Sequence, residues 1–295
     1  MQPPPRWGFI RPLPAFLLAL LFSHYADIDE VVSFLPATHE RRLLSVELFS
    51  GQAEISKAVR DQWGLRLGGE AGGSAGFDKS YHASQDLSCA AGFKLALPLV
   101  WAIIVGGMLW SAPVCSSWVW ISRSRTERSR SDPGGCRRHA SVVEANAMVE
   151  YTVLLCVLAF ARGCHIYIEQ PQSSVMPFYH AMKALFQWTQ PVRLSVSLGK
   201  FGSDTLKPIY VWTTEQDKRI HHRIRSGPPA KAAAEPPAKK AKKVQLCTRA
   251  ANGGVTGNKS LLKSSQHYPE AFGKTIADCA VSSCIQQTTA RFWPE

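Results

Sequence analysis

From Leu43 onward the chain alternates short, continuous apolar runs with longer segments whose apolar residues recur every three or four positions. Leu43 to Phe49 (LLSVELF) stops at Ser50-Gly51 and is followed by AEISKAVRDQWG, where Ile55, Ala58, Val59 and Trp63 share one helical face. That pattern predicts strand, glycine turn, helix. A second unit predicts a helix from Ala90 to Ile104, a turn at Gly106-Gly107, and a strand MLWSAP that ends in a loop at Cys115. A third predicts a helix from Val142 to Ala161, a stop at Arg162-Gly163, and a strand His165 to Ile168 closed by Glu169-Gln170-Pro171. A later strand, Ile209 to Thr213, follows Lys207-Pro208. Asn252-Gly253-Gly254 marks a turn, and the stretch from Ser260 to Ala280 predicts a turn and a final helix.

Strands alternating with helices of this length predict an α/β fold, a parallel sheet with helices on both faces and ligands at the carboxyl ends of its strands. Ser50-Gly51, Pro113-Val114-Cys115 and Glu169-Gln170-Pro171 each close a predicted strand, so the least ordinary residues of the chain share one end of the sheet. With 295 residues and 45% hydrophobic content the chain is long and apolar enough to bury a substantial core. The expected organisation is a leader over residues 1–40, a main domain over 41–225, a disordered Pro/Ala/Lys linker over 226–243 (SGPPAKAAAEPPAKKAKK), and a segment over 244–295 that returns to the domain.

At the start of the chain, Arg6 and Arg11 precede the apolar Leu13 to Phe22, which has the outline of a targeting signal. Pro12 and Pro14 interrupt it, and no small-x-small cleavage pattern follows before Asp27-Ile28-Asp29-Glu30, which favours a packed or frayed leader. The alternative is a secretory or organellar signal within residues 1–26. The run from Leu95 to Trp110 is shorter than the ~20 residues of a membrane helix. It also contains Gly106-Gly107, so no stable membrane association is expected.

The formal charge of +12 is concentrated in two stretches. Residues 122–138 carry six arginines against Glu127 and Asp132, and residues 201–243 carry ten Lys and Arg against four acidic residues. Such stretches attract polyanions through counterion release, which fits nucleic acid, and they also serve as import signals or solubilising tails. Lys239-Lys240-Ala241-Lys242-Lys243 beside proline reads as a nuclear import signal, with a solubilising linker as the alternative. The eight cysteines lack the spacing of a zinc ribbon or a disulfide framework, so reduced thiols and no metal are expected. Cys279 and Cys284 are expected to pack in the interior.

The motifs, taken in order, resemble the cytosine-5 DNA methyltransferases, a family that uses S-adenosylmethionine. Val46-Glu47-Leu48-Phe49-Ser50-Gly51 is similar to that family's first motif, where the turn approaches the methionine part of the cofactor and glycine lets backbone come close. Here Gln52-Ala53-Glu54 stands where the family continues with further glycine. Pro113-Val114-Cys115 resembles the Pro-Pro-Cys loop whose cysteine adds to carbon 6 of a flipped cytosine, with Val114 in place of one proline. Glu169-Gln170-Pro171 resembles the Glu-Asn-Val motif whose glutamate binds N3 and the exocyclic amine. A thiol adding to the ring needs such a carboxyl partner at N3.

The resemblance covers residues 43 to 215, with a weaker match at Tyr268-Pro269-Glu270-Ala271-Phe272. It implies a Rossmann-like class I methyltransferase sheet. By the same resemblance Cys115 and Glu169 are catalytic, and Phe49, Ser50, Gly51, Asp78, Asp86 and Pro113 bind S-adenosylmethionine, the two aspartates toward the ribose and adenine. The resemblance also makes Arg123, Arg125 and Arg128, in a basic lid after Cys115, and Arg193 the expected nucleic-acid contacts, with DNA ahead of RNA as partner. The family's Gln-x-Arg-x-Arg element is not intact: Gln190-Pro191-Val192-Arg193 is a remnant, with Ser195 where another arginine belongs. The expected reaction is methyl transfer to carbon 5 of cytosine in a base taken out of its stack. The alternatives are a catalytically inactive relative that binds nucleic acid or serves as a scaffold, and a methyltransferase of another acceptor class in which Cys115 is structural.

Overall fold

The computed structural model describes residues 43–67, 73–228, 247–249, 255–257 and 267–292. The leader, the Lys239–Lys243 cluster and most of the Pro/Ala/Lys stretch lie outside the described residues. Six strands form one sheet: β1 (Leu43–Leu48), β2 (Ser74–Phe77), β3 (Ile103–Ser111), β4 (His165–Pro171), β5 (Val192–Ser197) and β6 (Pro208–Thr213). Among the described residues seven helices accompany it: α1 (Glu54–Leu67), α2 (Ala90–Trp101), the short α3 (Arg123–Thr126), α4 (Ala140–Ala161), α5 (His180–Thr189), α6 (Lys218–Ser226) and α7 (Glu270–Phe292). Separately, β7 (Cys247–Arg249) pairs antiparallel with β8 (Val255–Gly257), and the turn expected at Asn252-Gly253-Gly254 lies outside the described residues.

The sheet order is β2-β1-β3-β4-β6-β5. β1 to β4 are parallel, whereas β6 runs antiparallel to both β4 and β5. The sheet is therefore mixed, a correction to the all-parallel expectation. The antiparallel strand is the predicted IYVWT run, which pairs Ile209 with Pro171 and so starts where β4 ends.

Both faces of the sheet are covered, which is why its strands read as continuous apolar runs. On one face Val46, Leu48, Leu109, Ile166 and Ile168 pack with Phe93 of α2, Val149 and Leu155 of α4, and Met182 and Leu185 of α5. On the other, Leu44, Met108, Trp110, Tyr167 and Val211 pack with Ile55 and Val59 of α1, Ile220 of α6, and Phe272 and Ile276 of α7. Helix α4 is long and apolar enough to cross a membrane, and most of its apolar stretch is packed inside the protein. Cys279 and Cys284 are both buried in the second core, as expected from their apolar setting.

Some boundaries differ from the sequence reading. α2 ends at Trp101, and β3 begins at Ile103 and runs straight through Gly106-Gly107. That glycine pair is a bulge rather than a turn: the register against β1 shifts between Leu43 and Ser45. A Cβ on Gly107 would stand 2.5 Å from the Leu44 carbonyl, so only glycine permits this approach of the two strands. The glycine-rich run before Phe77 hid β2, and the segment read as an arginine-motif remnant forms the edge strand β5.

One buried charge is built into this frame. Glu47 on β1 is 1% exposed and accepts the Ser56 backbone N–H at 2.8 Å, satisfying a free donor in the first turn of α1. Its Oε1 has no hydrogen-bond partner among the described residues. Burial, opposed by the Ser56 and Ile55 hydrogen bonds, raises this carboxyl from 4.5 to about 7. A raised value means that the folded state holds the proton more tightly than the unfolded chain. The associated stability is present in mild acid and is lost as pH rises from 4.5 through about 7. At roughly 1.4 kcal/mol per pH unit, the wild type should lose about 3 kcal/mol more than Glu47→Gln between about pH 4.5 and pH 8. Urea unfolding across that range checks this, and parallel curves for the two proteins would refute it.

Candidate functional site

The order of the sheet fixes where a site can form. From β1 the chain passes to β2 on one side and then crosses to β3 on the other, which opens a crevice at the carboxyl ends of these strands. A cleft of about 320 Å³, including the part open to solvent, lies there. Its walls are Phe49 from the turn after β1, Asp78, Lys79, Gln85, Asp86 and Leu87 from the segment after β2, Val114 from the loop after β3, and Met148 from α4. Phe49, Asp78 and Asp86, expected from sequence to bind one cofactor, thus meet around one cavity.

The turn after β1 is tightly specified. Phe49, Gly51 and Ala53 have φ of 59°, 51° and 55°, a left-handed conformation at alternate residues. At Gly51 nothing lies within 4 Å of where a Cβ would stand, so this backbone faces open space. The Gly51 N–H donates to Asp78 Oδ2 at 3.1 Å, while Asp78 Oδ1 accepts the Ser80 N–H at 2.7 Å. Ser50 is buried, and its hydroxyl donates to the Tyr81 hydroxyl at 2.9 Å. The turns after β1 and β2 are therefore joined through Asp78 and Tyr81. At Asp86, burial would raise the carboxyl, but the Ser88 hydrogen bonds and nearby Lys79 outweigh it and hold the group below its ordinary value. Lys79 Nζ lies 3.6 Å from Asp86 Oδ2.

The loop after β3 is tied to β4. The Gln170 side-chain amide donates to the Pro113 carbonyl at 2.5 Å and accepts from the Ser174 hydroxyl at 2.9 Å. Two residues on, the Cys115 carbonyl accepts the Trp118 N–H at 2.8 Å and starts a turn. The Cys115 side chain is partly exposed. Burial pushes its thiol up to about 11, the Glu169 carboxylate pushes in the same direction, and Lys207 opposes both.

Glu169 is 5% exposed, and its Oε2 accepts the Tyr268 hydroxyl at 3.1 Å. Its Oε1 has no hydrogen-bond partner among the described residues. Burial raises the Glu169 carboxyl, with Lys207 and the Tyr268 hydrogen bond pulling it down. The Lys207 ammonium lies 5.8 Å from the centre of the Tyr268 ring. The structure thus brings Cys115 and Glu169 into one electrostatic neighbourhood and adds two groups absent from the sequence-based site. Lys207 arrives because β6 starts beside the end of β4, and Tyr268 arrives at the head of α7. Lys207 stands out in the sequence only as the cation before Pro208, and Tyr268 only as the first residue of the weak C-terminal match.

The predicted arginines have different fates. Arg123 and Arg125 are exposed on α3, directly after the Cys115 loop. Arg128 is 1% exposed, and its guanidinium lies 3.5 Å from the centre of the buried Trp118 ring. It donates to Ser117 Oγ at 2.9 Å, the Pro133 carbonyl at 2.5 Å and the Val142 carbonyl at 3.2 Å. A nucleic-acid backbone cannot reach it, which corrects the expectation for Arg128; its work is to clamp the segment after Cys115 onto α4. That anchoring also argues against a freely mobile lid. Arg193 is exposed on edge strand β5, 4.7 Å from the Tyr210 ring centre and two strands away from β4.

Ala53 occupies a backbone conformation suited to glycine, at a cost of about 1 kcal/mol. Ala53→Gly should accordingly be neutral or stabilising by up to about 1 kcal/mol, whereas Ala58→Gly within α1 should cost about 1 kcal/mol. Equal losses at both positions in urea unfolding would overturn this account of the turn. No family model matches the chain, and no curated protein or solved structure matches it, so the chemistry of the site is read from its own residues.

Proposed function

We propose that this protein is a class I, Rossmann-like methyltransferase that acts on cytosine in nucleic acid, with S-adenosylmethionine as methyl donor. One observation carries the reading: the turn after β1, the aspartates after β2 and the Cys115 loop after β3 enclose a single cleft at the switch point of the sheet, with Glu169 on the adjoining strand. The lining suits the cofactor, with carboxylates at Asp78 and Asp86 and apolar surface from Phe49, Leu87, Val114 and Met148. When bound there, S-adenosylmethionine supplies an electrophilic methyl group.

The chain's own residues account for the remaining requirements. Cys115 provides a sulfur nucleophile for carbon 6 of the ring, and Gln170 holds its loop through the Pro113 carbonyl. Glu169 has one oxygen fixed by Tyr268 and the other free, and burial favours its protonated form, so Oε1 is suited to hydrogen-bond N3. Lys207 supplies positive charge that favours the Cys115 thiolate. The exposed Arg123, Arg125 and Arg130 follow the nucleophile loop, together with Trp120, which is 44% exposed, and Phe178 beneath Arg130. Cations beside accessible aromatic rings suit a polyanion with exposed bases.

A second reading, a catalytically silent nucleic-acid-binding relative, draws on the high value of the Cys115 thiol and on Ala53 in a glycine position. The two separate in a paired experiment. Titration calorimetry of the full chain with S-adenosylhomocysteine should show saturable binding that Gly51→Val abolishes. A 5-fluorocytosine oligonucleotide with S-adenosylmethionine should form a covalent adduct that Cys115→Ser eliminates. Cofactor binding without an adduct would support the silent relative, and a folded protein that binds no cofactor would end the methyltransferase reading. For the arginines, Arg123→Ala/Arg125→Ala should reduce the salt dependence of oligonucleotide binding by about one to two charge equivalents with stability within about 0.5 kcal/mol of wild type. Arg128→Ala should instead lower the unfolding midpoint; a salt slope that is unchanged in the double variant would remove these arginines from the interface.

A further inference from the structure

The segment after the nucleophile loop is folded with almost no core of its own. From Ser122 to His139 only Thr126 and Arg128 are buried, yet this stretch holds six arginines against two acidic residues. Arg128 clamps the segment onto α4, and a segment with so little buried apolar surface gains further from a cross-link. Three side chains here stand in a suitable arrangement. Glu127 is the residue at which α3 ends, Cys136 lies in the following turn, and His139 caps the start of α4. A carboxylate oxygen, the Cys136 sulfur and a His139 ring nitrogen all lie within 4.8 Å of one another.

This convergence is held by backbone. The Cys136 N–H donates to the Thr126 carbonyl at 2.9 Å, and the His139 N–H donates to the Cys136 carbonyl at 3.1 Å. Immediately before Cys136, Gly135 has φ +66°, and a Cβ there would stand 2.6 Å from the Thr126 carbonyl oxygen and 2.7 Å from Arg128 Cγ. Asn146 Nδ2 and Arg128 Nη1 hold the Gly134 carbonyl at 3.1 and 3.3 Å. The donors therefore come from three fixed points rather than from one mobile loop. Glu127 is exposed and Cys136 and His139 are half-buried, so an ion can enter once the exposed Arg138, whose Nε donates to Cys136 Sγ at 3.5 Å, swings away.

We propose that Glu127, Cys136 and His139 bind a zinc-class divalent cation. One sulfur, one imidazole nitrogen and one carboxylate oxygen form a donor set for zinc rather than for magnesium or calcium, and three protein ligands leave the fourth tetrahedral position to water. On binding, the Cys136 thiol gives its proton to solvent and the sulfur–metal bond forms. Thiolate and carboxylate together neutralise the ion. The metal joins the end of α3 to the start of α4 and so fixes the arginine-bearing segment next to Cys115. No tight C-x-x-C spacing marks these ligands, because they are nine and three residues apart and meet only through the Gly135 turn.

The test uses the full chain, reduced and stripped of metal, titrated with Co²⁺ and monitored for thiolate-to-cobalt charge transfer and tetrahedral ligand-field absorption. One equivalent should produce both bands, and Zn²⁺ should displace the cobalt. Cys136→Ser should eliminate the charge-transfer band. His139→Gln and the exposed Glu127→Gln, both checked for native circular dichroism, should weaken binding by at least about tenfold, a loss seen even for residues that merely orient a ligand. Cys89→Ser should leave the spectrum unchanged. Zn²⁺ should also slow tryptic cleavage after Arg123 and Arg125 several-fold in wild type but not in Glu127→Gln. A folded protein with no thiolate–cobalt band, or a band that persists in Cys136→Ser, would overturn the proposal whatever the outcome for cofactor binding.

Discussion

Parallel pairing of β1 with β2 on one side and β3 on the other is the constraint on which the rest of the molecule depends. Parallel strands cannot be joined by a tight turn, so the chain must leave each carboxyl end, cross a face of the sheet and return. Where successive crossings go to opposite sides, the departing loops diverge and leave a crevice between them. Phe49, Asp78 and Val114 follow those departing ends, and their meeting around one cleft is a consequence of strand order. The bulge at Gly106-Gly107 keeps β3 in contact with β1 and carries it to Ser111, from which the Cys115 loop departs.

The site itself is fixed by polar groups placed in an apolar setting. Gln170 gives both ends of its amide to the protein, one to the Cys115 loop and one to Ser174. Arg128 does the same for the following segment through the Trp118 face and several carbonyls. Satisfied polar groups of this kind rigidify a core, because breaking any one leaves a buried partner unpaired. Glu47 and Glu169 differ: each is buried with one oxygen bonded and the other without a partner among the described residues. A half-satisfied buried carboxyl is costly to keep ionised, which is why both are shifted upward.

The arginine-rich segment combines two roles that charge counting treats as one. Arg123 and Arg125 face solvent, whereas Arg128 is consumed in the interior by an aromatic ring and backbone carbonyls. The same residue type in the same run faces solvent or joins the interior according to which way the backbone points it. Gly135 is central to that division, since its turn brings the chain back against Thr126 and Arg128.

Hydrophobic periodicity by itself determined the α/β class, the strands β1, β3, β4 and β6, and helices α1, α2, α4 and α7, because continuous apolar runs and helical repeats are local signals. The motifs singled out in the sequence, the Phe49–Gly51 turn, the Cys115 loop and Glu169, fall at the carboxyl ends of β1, β3 and β4. β2 was hidden by its small residues, and the edge strand β5 exposes alternate positions, so neither carries a strong apolar run. Only the tertiary structure decided that β6 is antiparallel and thereby delivers Lys207 to Glu169, that Tyr268 closes over the same carboxyl from 99 residues away, and that Arg128 is buried. These are contacts between residues remote in sequence, set by strand pairing and by which polar groups remain to be satisfied once the core has closed, and no local pattern encodes them.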